Sequence, residues 1–135
     1  MGLFTGRQPK DLGVHDGQLL PCPWKPNCVN SMTDAKADPS HAVAPLKLPG
    51  TADTGWAALV ALVRGRERVS IVKQEPGYLH AEFKSRGMGY VDDVEFLLDA
   101  KNGVVQVRSA SRLGIRDFGV NRARIESIRN QFTRD

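Results

Sequence analysis

The chain has 135 residues, enough for one domain that buries roughly two thirds of its unfolded surface without metal or disulfide staples. Hydrophobic residues make up 41% and charged residues 25%, the balance of a soluble globular protein, and no apolar run approaches the roughly 20 residues of a membrane span. The 19 basic and 15 acidic residues leave a net charge of +4 without a lysine-rich tract, which favours anionic partners mildly and argues against nucleic acid.

The opening residues, MGLFTGRQPKDLG, contain no apolar core of signal-peptide length, so a cytoplasmic location is expected unless a leader was removed. Met1-Gly2 is not a myristoylation signal, because Gly6 stands where that motif needs Ser or Thr. Residues 20–31, LPCPWKPNCVNS, hold two cysteines among prolines that fix φ, which reads as a rigid loop. Cys22 and Cys28 are too far apart for a redox pair with two intervening residues. A single pair, with His15 outside any familiar ligand spacing, is no zinc site, so neither metal nor cofactor is expected. They are structural, as a local disulfide or as two packed thiols, and the missing leader favours thiols.

Residues 32–54 form a long connector, with Val43, Leu46 and Leu48 suited to an extended arm laid over the core. His41, with no companion of similar chemistry, reads as an exposed loop residue. A helix starts near Asp53 or Thr54 and ends at Gly65, and Trp56, Leu59, Val60 and Val63 form its apolar stripe.

From Val69 the period changes to two. A strand to Gln74 and a Pro76-Gly77 turn lead into Tyr78–Ser85, Tyr90–Leu98 and, after an Asn102-Gly103 reversal, Val104–Arg112. One register places Leu98 opposite Val105, Phe96 opposite Val107 and Glu95 opposite Arg108. Placing Phe83 opposite Asp92 then sets His80 beside Glu95, giving a charged row of His80, Glu95 and Arg108. That row is either a binding surface or an ordinary solvated sheet face. Asp92 falls on the inward parity and needs hydrogen bonds from Ser111 or backbone, or a bulge at Gly89 that turns it outward.

In the last helix Asn121 is the expected cap, flanked by a staple of Val120 and Ile125. Ile125, Ile128 and Phe132 point inward, and Arg122, Arg124, Glu126 and Arg129 point mostly to water. Arg112, Arg116, Asn121 and Arg122 cluster in sequence at this helix start, where free N–H groups and the helix dipole favour an anion. The same residues also fit a clasp that holds the strand-to-helix corner shut.

The expected architecture is therefore α+β: an antiparallel sheet of about four strands in meander order, packed on one face by two helices near 54–64 and 121–132. Residues 1–135 form a single domain, with an extended arm over 1–53 and an α-β-β-β-β-α core over 54–135.

PCPWKPNCVNS at 21–31, VDDVEFLLD at 91–99 and VRSASRLGIRDFGVNRARIESIR at 107–129 resemble a bacterial and plastid family catalogued as domain of unknown function 1499. The likeness covers nearly the whole chain and implies no activity, cofactor or catalytic residue. On the residues themselves, the reading is a non-catalytic binding domain for an anionic small molecule or an acidic partner surface. The alternative is an enzyme using Asp92, Asp93 and Glu95 with His80 and arginines, but no nucleophile, base and orienter stand in credible combination.

Overall fold

The computed structural model describes residues 6–87, 89–114 and 117–134. In chain order the elements are β1 (Val14–His15), β2 (Gln18–Leu19), β3 (Cys28–Asn30), β4 (Leu46–Lys47), α1 (Ala52–Arg64), β5 (Val69–Glu75), β6 (Tyr78–Lys84), β7 (Val91–Asp99), β8 (Val104–Ser111) and α2 (Val120–Arg134).

The β5 to β8 meander forms in the expected order and register, with Leu98 opposite Val105, Phe96 opposite Val107, Glu95 opposite Arg108 and Phe83 opposite Asp92. Apolar matching alone selects this pairing, because a slip of one residue would turn Phe96 and Val107 out of the core. The expected sheet of about four strands is corrected to six, with β1 and β2 forming a separate two-stranded sheet. The additional strands come from the arm. β3 pairs with β8 at Arg108–Ala110, and β4 pairs with β8 at Val104 and Val105. Between them Ser31 donates its N–H to the Val107 carbonyl and accepts from the Val107 N–H through Oγ. Two short strands and one serine thus close an edge that would otherwise present unpaired backbone groups.

At the other edge, β5 carries a register shift between Ile71 and Lys73. A bulge and charged side chains are common means of keeping such an edge from pairing further.

Odd-numbered residues of β7 and β8 lie on opposite faces, as do even-numbered ones, because the strands run antiparallel in this register. Leu79, Ala81, Phe83, Val94, Phe96, Val105 and Val107 form the apolar face. Leu59, Val60 and Val63 of α1 and Ile125, Ile128 and Phe132 of α2 cover it. α1 is capped by Thr51, whose side chain accepts from the Thr54 N–H, rather than by Asp53 or Thr54, and it ends at Gly65 as expected. Gly55 lets the first turn approach Leu48 closely: a Cβ there would lie 2.8 Å from Leu48 Cδ2.

The N-terminal residues cross the opposite face of the sheet. The Gly13 N–H donates to Glu95 Oε2 at 2.9 Å, and Arg108 Nη2 donates to the Pro21 carbonyl at 3.4 Å. The face expected to be wet is therefore buried, with His80, Asp93, Glu95 and Arg108 all withdrawn from solvent. Cys22 and Cys28 are joined by a disulfide, which corrects the expectation of free thiols. The bridge fixes the start of β3 relative to the covering loop. His41 is buried rather than exposed, because its ring spans the loop and the connector between the Lys25 carbonyl and Asp38.

Candidate functional site: the covered ionic face

The register that places His80, Glu95 and Arg108 side by side also stacks Glu82, Asp93 and Arg112 next to them. Arg112 follows β8 directly and shares the parity of Arg108, so its side chain reaches the same face. It is the centre of a tight cluster. Its Nε donates to Asp93 Oδ2 at 2.8 Å, and its Nη2 donates to Asp93 Oδ1 at 2.9 Å and to Glu82 Oε2 at 2.5 Å. His80 Nε2 lies 2.8 Å from Asp93 Oδ1. Burial pushes the Asp93 carboxyl up, but the hydrogen bonds from Arg112 and His80 outweigh it and hold the pKa below the usual value. Asp93, Arg112 and Glu82 are thereby a hydrogen-bonded group in which one guanidinium is shared by two carboxylates.

The neighbouring pair is less complete. Tyr78 donates its hydroxyl to Glu95 Oε2 at 2.5 Å, so that oxygen accepts from both Tyr78 and Gly13. Burial, followed by the hydrogen bond to Glu95 and then its charge, drives the Tyr78 pKa far up, so the phenol stays a donor. Glu95 Oε1 stands 3.7 Å from Arg108 Nη1, within ion-pair range but without a hydrogen bond. Arg108 Nε has no hydrogen-bond partner among the described residues, although the residue is only 7% exposed. A guanidinium has five N–H donors in a fixed fork, and this one spends them on a long contact to Pro21 and a loose contact to Glu95. Burial lowers the Arg108 pKa, while Glu95 and then Asp11 pull it back up, and it remains a cation.

Arg108 lines a cleft of about 230 Å³ between the sheet and the N-terminal segment, together with Arg7, Asp11, Leu12, Leu20 and Arg112. Among the described residues, 6–12 make no backbone hydrogen bond to the sheet, and neither Arg7 nor Asp11 has an ion-pair partner.

The anion site expected at the start of α2 does not assemble from its described members. Arg112 turns to the carboxylates of the sheet. Arg122 donates through Nη2 to the carbonyls of Ser40 at 3.1 Å and Pro39 at 3.4 Å. Arg116 lies outside the described residues. Asn121 is not the cap. It is fully buried, its Nδ2 donating to Asp117 Oδ2, Ser111 Oγ and the Asn27 carbonyl and its Oδ1 accepting from Ser109 Oγ and Arg124 Nη1. Asp117 caps instead, accepting from the N–H groups of Gly119 and Asn121. Asp92 is buried, and its partner is Arg124 of α2 at 2.7 Å, in place of the hydrogen bonds from Ser111 or backbone, or the outward turn, expected from sequence. Arg124, expected to face water, is correspondingly drawn inward and lies 5.1 Å from the centre of the Phe83 ring.

Sequence reasoning missed Tyr78, Asp11 and Gly13 as members of the ionic face and assigned Arg112 to the wrong neighbourhood, whereas Glu82 falls beside Asp93 as the strand register predicts. The parity shared by Arg108 and Arg112 was a legible signal for Arg112. Nothing in the sequence places Asp11 near Arg108 or Gly13 over β7, because those contacts depend on the path of an irregular segment.

Among the described residues, no group of three His, Cys, Asp or Glu side chains is placed to hold a metal ion. Among the same residues, no helix is long and apolar enough to cross a membrane.

Fold and site together define a small α+β domain whose antiparallel sheet is covered by helices on one face and by its own N-terminal region on the other, with an ionic network under that cover. The chain belongs to the family described as Protein of unknown function (DUF1499), whose model matches residues 18–132. No curated protein and no solved structure matches it.

Proposed function

We propose that this protein is a non-catalytic binding domain that takes a small ligand with an anionic group against Arg108, in the cleft beneath residues 6–13. The observation that carries this reading is the unpartnered Nε of a buried arginine. A charged group withdrawn from water is costly unless its donors are met, and here they are met incompletely. A planar carboxylate is the acceptor that matches a guanidinium fork in two parallel hydrogen bonds. The loosely attached segment over the cleft supplies a route in without disturbing the sheet.

The enzyme reading, with Asp92, Asp93 and Glu95 acting beside His80, has less support. Asp92 is committed to Arg124 on the helix face, and Asp93 is shared by Arg112 and His80. The disulfide supports an oxidising compartment over the cytoplasm expected from the opening residues.

The test is a titration of acetate into the full chain, followed by nitrogen NMR of the arginine Nε groups. The Arg108 signal should shift with saturation at millimolar acetate, while that of Arg112, already bonded to Asp93, should not. An Arg108 signal that stays fixed throughout would overturn the binding reading.

A further inference from the structure

The charges around the cleft constrain what the anionic group can be attached to. Arg112 is consumed by Asp93 and Glu82, so it offers nothing to a ligand. Arg108 sits against Glu95, and Asp11 and Asp93 also act on it electrostatically. A simple anion brought to Arg108 would gain one cation but would stand among carboxylates in a poorly solvated place, where like charges interact several times more strongly than in water. On the rim, Asp11 is exposed and has no ion-pair partner among the described residues, so its carboxylate is open to a cation in the same cleft as the anchoring guanidinium.

We infer that the ligand is a small zwitterion of amino-acid size, with its carboxylate on Arg108 and its ammonium group towards Asp11. This rests on the binding function proposed above and deepens it. A zwitterion adds no net charge to the cleft, and its two ends match the underused cation at the floor and the unpaired anion on the rim. Leu12 and Leu20 offer a small apolar wall between the two ends. The volume, about 230 Å³, accommodates a ligand of this class.

The experiment compares three molecules of similar shape on the full, disulfide-bonded chain: L-alanine, propionate, which lacks the amine, and isopropylamine, which lacks the carboxylate. Calorimetry together with the Arg108 Nε signal should show alanine binding about tenfold more tightly than propionate, with the amine inert. In Asp11→Asn, alanine should weaken and propionate should strengthen, because a repulsion is relieved as an attraction is lost. Asp11 is exposed and unpaired, so folding should survive the change. Propionate binding as well as alanine, or an unchanged preference in Asp11→Asn, would overturn the zwitterion while leaving the carboxylate site standing. No response at Arg108 to alanine or to propionate would overturn both readings, and so would an amine that binds as tightly as alanine.

Discussion

Asp92 faces the helices because strand parity leaves it no other direction, and the protein answers with Arg124 rather than with a bulge. The arginine is itself held by Ser109 and Asn121, so the pair belongs to a network that joins β8 to the first turns of α2. Removing one member strands the other in a nearly dry site, so Arg124→Ala should cost about 3 kcal/mol in urea unfolding. The double change Asp92→Ala with Arg124→Ala should cost clearly less than the sum of the single ones, and simple additivity would argue against the pairing. His41 makes a second residue-scale prediction. The Lys25 carbonyl raises its pKa above the usual 6.5, burial opposes this, and Asp38 adds to the rise. Both ring nitrogens have acceptors within 2.8 Å, so only the imidazolium can donate to both. Because the folded pKa lies above the unfolded one, the stabilisation is complete below the unfolded value and is lost as pH rises through the folded value. Denaturant midpoints should therefore decline across that range in the wild type and decline less in His41→Gln. Parallel declines in the two proteins would show that His41 is not the titrating group.

At the scale of elements, α1 owes its start to Thr51, whose Oγ1 accepts from the Thr54 N–H at 3.2 Å. Thr51→Ala should lower stability by about 1 kcal/mol, measured as a shift in urea midpoint at unchanged slope. The loop from Leu20 to Asn30 depends on a different device. Asn30 donates to the Leu20 carbonyl and accepts from the Met32 N–H, which shapes the chain on either side of the Cys22–Cys28 bridge. Closing so short a loop removes limited freedom from the unfolded chain, so replacing both cysteines by serine should cost about 2 kcal/mol. Freshly purified, unreduced protein should take up no thiol-alkylating reagent under denaturing conditions, and two modified cysteines would contradict the bridge. The spacing of these cysteines was plain in the sequence, but the choice between thiols and bridge was not, since it depends on how the prolines direct the loop.

Over the whole molecule, the sheet is covered unequally. The helix face is sealed by apolar packing that spans both helices and every strand of the meander, whereas the ionic face is covered at its outer end by a segment held to β7 through the Gly13–Glu95 hydrogen bond. The two covers should open with different free energies. Hydrogen exchange should find the amides of residues 6–13 exchanging orders of magnitude faster than those of β7 and β8, through local opening rather than global unfolding. A Gly13 amide protected as strongly as β8 would make the cover part of the cooperative core and would close the proposed route to the cleft.

The meander, its register, the two helices and the inward stripe of Ile125, Ile128 and Phe132 were all legible in the sequence, because period and turn chemistry are local properties. So was the juxtaposition of His80, Glu95 and Arg108, which follows from that register alone. Tertiary structure decided whether the row is wet or dry. A strand's alternation shows which side chains share a face but says nothing about what lies over it, and the cover here is built from residues with no period of their own. The same cause separates Arg112 from Arg122, which the sequence groups around one strand-to-helix corner: Arg112 continues the parity of β8 onto the ionic face, and Arg122 rides on α2 towards the connector. Local pattern determined the layers of this protein, and the path of its irregular N-terminal chain determined where its charges are buried.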